Sequence, residues 1–226
     1  MKGNSLPGAL IFDMDGVLVD SNPYHIRNWM AFLDARGISY NAQTLPRQVL
    51  GIRNDKSFRT FFGPERSDAE IDRLSDELEA GFRRVFQAHA KPQTGVVTLM
   101  EECHRAGIPM AVASSAPPEN VHFIVDALDF RRHFRSVLTG AEVTHPKPHP
   151  EIYLKSAEKL SVEPSQCVAF EDSFPGIESA SSAGMKVIAI ASTFPHADLE
   201  THGHADLIVG GFEELSLATL RDLFRG

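Results

Sequence analysis

Asp13 and Asp15 stand two residues apart, directly after the apolar run Ala9 to Phe12 and directly before Gly16. Side chains two apart on a strand share a face, so this pair can converge on one site with Cα atoms about 6–7 Å apart. Two carboxylates at the end of a buried strand repel each other. Either one takes a proton or a cation sits between them, and we expect the cation. In isolation Asp-x-Asp-Gly is usually a solvated turn; the apolar run before it argues for a site. An EF-hand is excluded because Val17 and Leu18 fall where that loop needs oxygen ligands and a glycine. A second acidic pair, Glu171-Asp172, also follows an apolar run, Val168 to Phe170. Lys147 lies between Pro146 and Pro148, which restrict its backbone, and its ammonium can offset nearby negative charge.

The elements that must position these residues follow from the apolar pattern. Ala9 to Phe12, bounded by Pro7-Gly8 and by the acids, suits a strand buried on both faces. From Tyr24 to Leu33 apolar residues recur at three- and four-residue steps, with Pro23 suited to a first helical turn and Gly37 as a stop. Helical segments are expected at about 43–50, 55–62 and 67–90, with no strand between them. Residues 22–91 therefore read as an all-helical insert. From Pro92 onward, short apolar strands at 109–114, 136–139, 167–170, 187–191 and 207–209 alternate with helical segments at 95–105, 119–128, 150–160 and 175–183. That alternation implies right-handed crossovers and a parallel sheet covered on both faces. The expected fold is α/β, a Rossmann-like core of residues 1–21 and 92–226 with the helical block inserted after the first strand. Ligands of such sheets bind at the carboxyl ends of the strands.

Composition limits the function classes. With 226 residues, 42% of them apolar, the chain can build a large core. Twenty-two basic against 30 acidic residues leave a net charge of −8, which argues against nucleic-acid backbone binding. Cys103 and Cys167 show neither CxxC spacing nor a disulfide framework, which fits a reducing cytoplasm. No apolar run reaches membrane-spanning length, and residues 1–7 lack the apolar stretch of a signal peptide. A soluble monomer or small homo-oligomer is expected.

The segment Phe12-Asp13-Met14-Asp15-Gly16-Val17 resembles the first signature motif of the haloacid dehalogenase superfamily, and the resemblance extends over nearly the whole chain. It is nearest the subfamily of β-phosphoglucomutase and small-metabolite phosphatases. The resemblance implies that Asp13 is a nucleophile, Asp15 a general acid/base, and Mg2+ the cofactor. Ser114, with the backbone N–H of Ser115, resembles the second motif, which holds a phosphate oxygen; a bare helix cap is the competing reading of Ser115. Lys147-Pro148-His149-Pro150 resembles the third motif, with Tyr153 at its aromatic position, and Glu171-Asp172 resembles the fourth. Asp13 and Asp172 are then Mg2+ ligands, Glu171 a ligand directly or through water, and the backbone carbonyl of Asp15 completes the protein's share. Pro146 departs from the small residue many relatives carry before this lysine. The insert becomes a mobile cap, with Tyr24, His25 and Trp29 near its start. His25, Arg53 and Asn54 are candidates for substrate contact. Asp15 excludes dehalogenases and phosphonoacetaldehyde hydrolases, which lack an acid at that position. The expected activity is hydrolysis of a small phosphorylated metabolite; a phosphosugar mutase is the alternative, and a non-catalytic binding module a distant one.

Overall fold

A computed structural model of the chain describes residues 6–225, so the expectation for residues 1–5 lies outside the described part. Six short strands form one parallel sheet: β1 Ala9–Phe12, β2 Met110–Ala113, β3 Ser136–Leu138, β4 Cys167–Glu171, β5 Lys186–Ile190 and β6 Leu207–Val209. Their order is β3-β2-β1-β4-β5-β6, which places β1 in the middle with β2 and β4 on either side. Register is fixed across the centre, with Phe12 opposite Val112 on one side and Phe170 on the other. The ends of β1, β2 and β4 therefore deliver Asp13, Ser114 and Asp172 to one edge of the sheet.

The alternation along each strand separates two kinds of face. Leu10, Phe12, Met110, Val112, Val168, Phe170, Ile188 and Ile190 point into one apolar layer. Ala9, Ile11, Ala111, Ala113, Ala169, Val187 and Ala189 point into the other, where small residues let helices approach closely. On the bulky side Phe12 stacks on Phe170 with ring centroids 4.5 Å apart. Full burial of such a ring stabilises by about 1.5–3 kcal/mol relative to exposure.

Five helices lie between β1 and β2, and the first four of them form the inserted block: α1 Asn22–Asp34, α2 Leu45–Val49, α3 Asn54–Phe62 and α4 Asp68–Phe86. Pro23 occupies the first turn of α1. Ser67 and Glu70 form a reciprocal cap at the start of α4, which satisfies two orphan amides. Trp29, Phe32, Leu33, Leu45, Phe58, Ile71 and Leu78 form a separate apolar cluster within this block. Phe82 and Phe86, at the far end of α4, pack instead into the sheet's core. Both ends of the block meet beside the site: Gln93 N donates to the carbonyl of Leu18 at 2.9 Å, and Val19 bridges Pro92.

The remaining helices are α5 Val96–Arg105, α6 Pro118–Ala127, α7 Glu151–Leu160, α8 Phe174–Ser182, α9 His196–His202 and α10 Leu217–Asp222. The expected strands match to within one or two residues. The helix expected at 43–50 is shorter because Pro46 sits in its first turn and Leu50 is extended. The one expected at 67–90 ends at Phe86. Helices α9 and α10 were not anticipated; each is only one or two turns long and carries little periodicity.

Candidate active site

Lys147 organises the site. Its Nζ donates to Asp13 Oδ1 at 2.7 Å, Glu171 Oε1 at 2.6 Å and the carbonyl of Ala113 at 3.0 Å, and the residue is only 4% exposed. Burial alone would depress its pKa, but the charges of Asp13 and Glu171 outweigh that and raise it, so the ammonium is retained. Tyr153 Oη donates to the same Glu171 oxygen at 2.6 Å. Burial, and then Glu171, hold the Tyr153 hydroxyl well above its ordinary pKa, so it remains a donor.

Asp13, Glu171 and Asp172 are buried, and one oxygen from each lies within 4.8 Å of the others. Burial pushes the Asp13 carboxyl up to about 8; repulsion by Glu171 and Asp15 adds to this, and Lys147 partly offsets it. Burial, then repulsion by Asp13 and Glu171, raises Asp172 well above the usual carboxylate range. One lysine does not neutralise three buried acids. All-oxygen donors carrying this excess charge fit a small hard divalent cation.

Asp172 is oriented by Asn22 Nδ2 at 2.7 Å and by the hydroxyl of Thr193. Glu171 accepts from Lys147 and Tyr153 on one oxygen, and from Ser173 Oγ and the Asp172 amide, both at 3.2 Å, on the other. Gly16 takes φ +79°, and a Cβ there would run into Asp172 and Asn22. Glycine at that position lets the turn after β1 lie against the carboxylate end of β4.

Asp15 sits in a different environment. Ser21 Oγ donates to its Oδ1 at 2.5 Å, and His25 Nε2 lies 3.3 Å from the same oxygen. Burial would raise the Asp15 pKa, but the charge and hydrogen bond of His25, with Ser21, lower it. For His25, burial would lower the pKa, yet Asp15 and then Glu79 raise it above 6.5. The imidazole is stacked on Phe82, with ring centroids 3.6 Å apart. Each member of the pair thus favours the charged form of the other, an ionised Asp15 and a protonated His25.

A cavity of about 530 Å³ opens above these groups, between the strand ends and α1–α4. All ten candidate residues border it or lie directly beneath it: Asp13, Asp15, His25, Arg53, Asn54, Ser114, Ser115, Lys147 and Asp172 line it, and Glu171 sits below Lys147. Ser114 is 1% exposed, and its Oγ accepts from the Ala116 amide at 3.1 Å. Ser115 does not cap α6, whose N-cap is Pro117, so the competing reading of that residue fails. Trp29 belongs to the apolar cluster of the helical block while also bordering the cavity.

Arg53 and Asn54 are engaged within the block itself. Arg53 makes a two-pronged pair with Asp55, at 2.7 Å on each prong. Asn54 donates to Glu79 at 2.6 Å and to Ser75 at 2.9 Å. Glu79 accepts from Asn120 of α6 at 2.5 Å, and Asn120 in turn accepts from Arg83 at 2.6 Å. The residues that sequence reasoning missed are Ser21, Asn22, Glu79, Asn120 and Thr193. Thr193 had one available signal, its position just past the carboxyl end of β5, where parallel sheets place ligand-facing groups.

A 5-amino-6-(5-phospho-D-ribitylamino)uracil phosphatase of Arabidopsis thaliana is 28% identical over 214 residues; the match takes in 94% of this chain but 57% of that relative's length. A phosphorylated carbohydrates phosphatase of Thermotoga maritima is 31% identical over 180 residues, covering 80% of this chain and 83% of the relative. The β-phosphoglucomutase of Clostridium difficile shares the fold, with a TM-score of 0.86, 97% coverage of both chains and 23% identity. The two phosphatase relatives support phosphohydrolase activity. The haloacid dehalogenase-like hydrolase model matches residues 10–190, and the chain belongs to that family.

Proposed function

We propose that the chain is a Mg2+-dependent phosphatase of a small phosphorylated metabolite, a sugar phosphate, acting through an aspartyl-phosphate on Asp13. The observation that carries this is the buried Lys147 bound at once to Asp13 and Glu171 under the cavity, with Asp172 beside them. Asp13 attacks phosphorus, the Ser114 hydroxyl and the Ser115 amide hold a phosphate oxygen, and Lys147 offsets the charge that builds on the others. The ion would be held by Asp13, Asp172 and the Asp15 carbonyl; four protein donors on Glu171 favour its acting through water. When bound, Mg2+ supplies Lewis-acid charge stabilisation at the phosphoryl oxygens. In this reading residues 22–91 form a cap over a core of residues 1–21 and 92–226, and the enzyme works in the cytoplasm.

Asp15 protonates the leaving oxygen and then takes a proton from the attacking water. An Asp with a lowered pKa is a poor acid unless a neighbour holds the proton, and His25 is placed to do so. The groups facing His25 are Asp15 and Glu79, both of which favour its charged form. Its contribution is complete below about 6.5 and is lost as pH rises through its raised folded value. His25→Gln is therefore expected to lower kcat by about 10²-fold and to remove a fall in rate on the alkaline side. A pH–rate profile checks this; an unchanged alkaline limb in the variant would assign that limb elsewhere.

Chelation is expected to abolish turnover, and added Mg2+ to restore it while Ca2+ does so poorly. Full activity in a rigorously metal-free preparation would remove the ion from the mechanism.

The lining of the cavity supports transfer to water over transfer to a second sugar hydroxyl. A mutase must hold a second phosphate in its cap. Here the cavity wall supplied by α3 and α4 carries Asp55, Asp68, Asp72 and Glu79, and Arg53 is already paired with Asp55. That wall suits hydroxyl donors and repels an anion. Product analysis with β-glucose 1-phosphate and a trace of the 1,6-bisphosphate is the test. Inorganic phosphate without isomerised sugar phosphate, here or from another small sugar phosphate, supports the phosphatase. Accumulation of glucose 6-phosphate would establish the mutase, and failure to turn over any phosphate ester would indicate a binding module.

A further inference from the structure

The loop that carries Lys147 inward presents a second set of ligand-type side chains outward. One ring nitrogen each from His145 and His149 and one Glu151 oxygen all lie within 4.8 Å of one another. His145 Nδ1 is 3.0 Å from Glu151 Oε2, and the two imidazoles are 4.6 Å apart between centroids. Both histidines are exposed and Glu151 is partly buried. The carboxylate is anchored, since the Thr144 and His145 amides donate to its two oxygens at 3.0 and 2.8 Å. The Glu151 amide in turn donates to His149 Nδ1 at 3.3 Å. Pro146, Pro148 and Pro150 restrict the backbone between the donors.

We infer that His145, His149 and Glu151 form a surface site for a borderline divalent transition cation, with Zn2+ as its representative. Two imidazoles and one carboxylate suit zinc, nickel, cobalt or copper, whereas the all-carboxylate set of Asp13, Glu171 and Asp172 suits Mg2+. Tetrahedral zinc with bonds of about 2.0–2.1 Å sets its donors about 3.3 Å apart. The His145–Glu151 separation is already near that value, and side-chain rotation of His149 closes the triangle. Three protein donors leave the fourth position to water. The competitor is Lys155, whose Nζ lies 2.7 Å from the other Glu151 oxygen. That pair is half-exposed, of the kind that holds weakly.

Calorimetric titration of the full chain with Zn2+, with Mg2+ in excess, tests the assignment. One Zn2+ per chain is expected, with affinity lowered at least about tenfold in His145→Gln and in His149→Gln. Both histidines are solvent-facing, so the variants should retain wild-type circular dichroism and Mg2+-supported phosphate release. Co2+ in place of Zn2+ should give visible absorption bands that the histidine variants lose. No Zn2+ uptake in excess Mg2+, or uptake that both variants retain at wild-type affinity, would overturn the assignment.

Discussion

Asp13→Asn is expected to fold normally and to turn over phosphate esters at least about 10⁴-fold more slowly than wild type, the order of loss seen when a covalent nucleophile is removed. The substitution keeps the shape of the side chain and its bond to Lys147 while removing one of three crowded carboxyl groups. Because burial and repulsion already push the Asp13 carboxyl up to about 8, an uncharged side chain there is accommodated by the fold. Unfolding in denaturant without metal should therefore show unchanged or slightly raised stability alongside the lost activity. A deamidation-checked variant that turned over at near the wild-type rate would exclude covalent catalysis by Asp13.

Lys147→Met is expected to have the largest effect on stability. It removes the cation shared by Asp13 and Glu171, leaving Glu171 fully buried with a neutral hydroxyl as its remaining donor on that oxygen. Breaking a buried pair from one side costs about 3–5 kcal/mol. For a chain of this size that lowers the melting temperature by about 6–20 °C. Activity should fall by about 10²–10³-fold, the scale for loss of one stabilising group at a developing charge. Added Mg2+ should recover part of the lost stability, because a bound cation takes over part of the charge compensation. A loss below about 1 kcal/mol without metal would show that the acids are already neutral in the folded chain.

The strands were legible because each is a short apolar run closed by a breaker or a polar group. Ala9 to Phe12 ends in Asp13, and Cys167 to Phe170 ends in Glu171-Asp172. The same property pointed to the candidate site, since chemistry-bearing residues directly after buried parallel strands are carried to one sheet edge. What could not be read is the orientation of those groups. Asn22 and Thr193 reach Asp172 from 150 and 21 residues away. Nothing in an asparagine opening a helix distinguishes it from an ordinary turn residue. Glu79 and Asn120, 41 residues apart, each look like a solvated polar residue until the fold sets them 2.5 Å from one another. Arg53 is the opposite case. Its partner Asp55 is two residues on, and that local pairing was open to view in Gly51-Ile52-Arg53-Asn54-Asp55.

The crossing of the chain at Val19 and Pro92 also constrains how α1–α4 can move relative to the sheet. The two connections to α1–α4 run side by side there, tied by the Gln93–Leu18 hydrogen bond, and Gln93 Nε2 also donates to the Gly16 carbonyl at 3.2 Å. Paired connections at one edge act as an axle. A rigid swing of the helices about it would leave Asp15 and Gly16 almost stationary while carrying Arg53 and Asn54 through a wide arc. On the side away from the axle, the hydrogen bonds of Asn120 to Glu79 and Arg83 would have to part, at a cost of about 1.5–3 kcal/mol each for bonds to charged groups, together with the exposed Arg47–Asp198 pair between α2 and α9. Asp15 would thus keep its place beside Asp13 while the helices moved, and the cost of the movement would fall on the contacts that Asn120 and Asp198 make with the block.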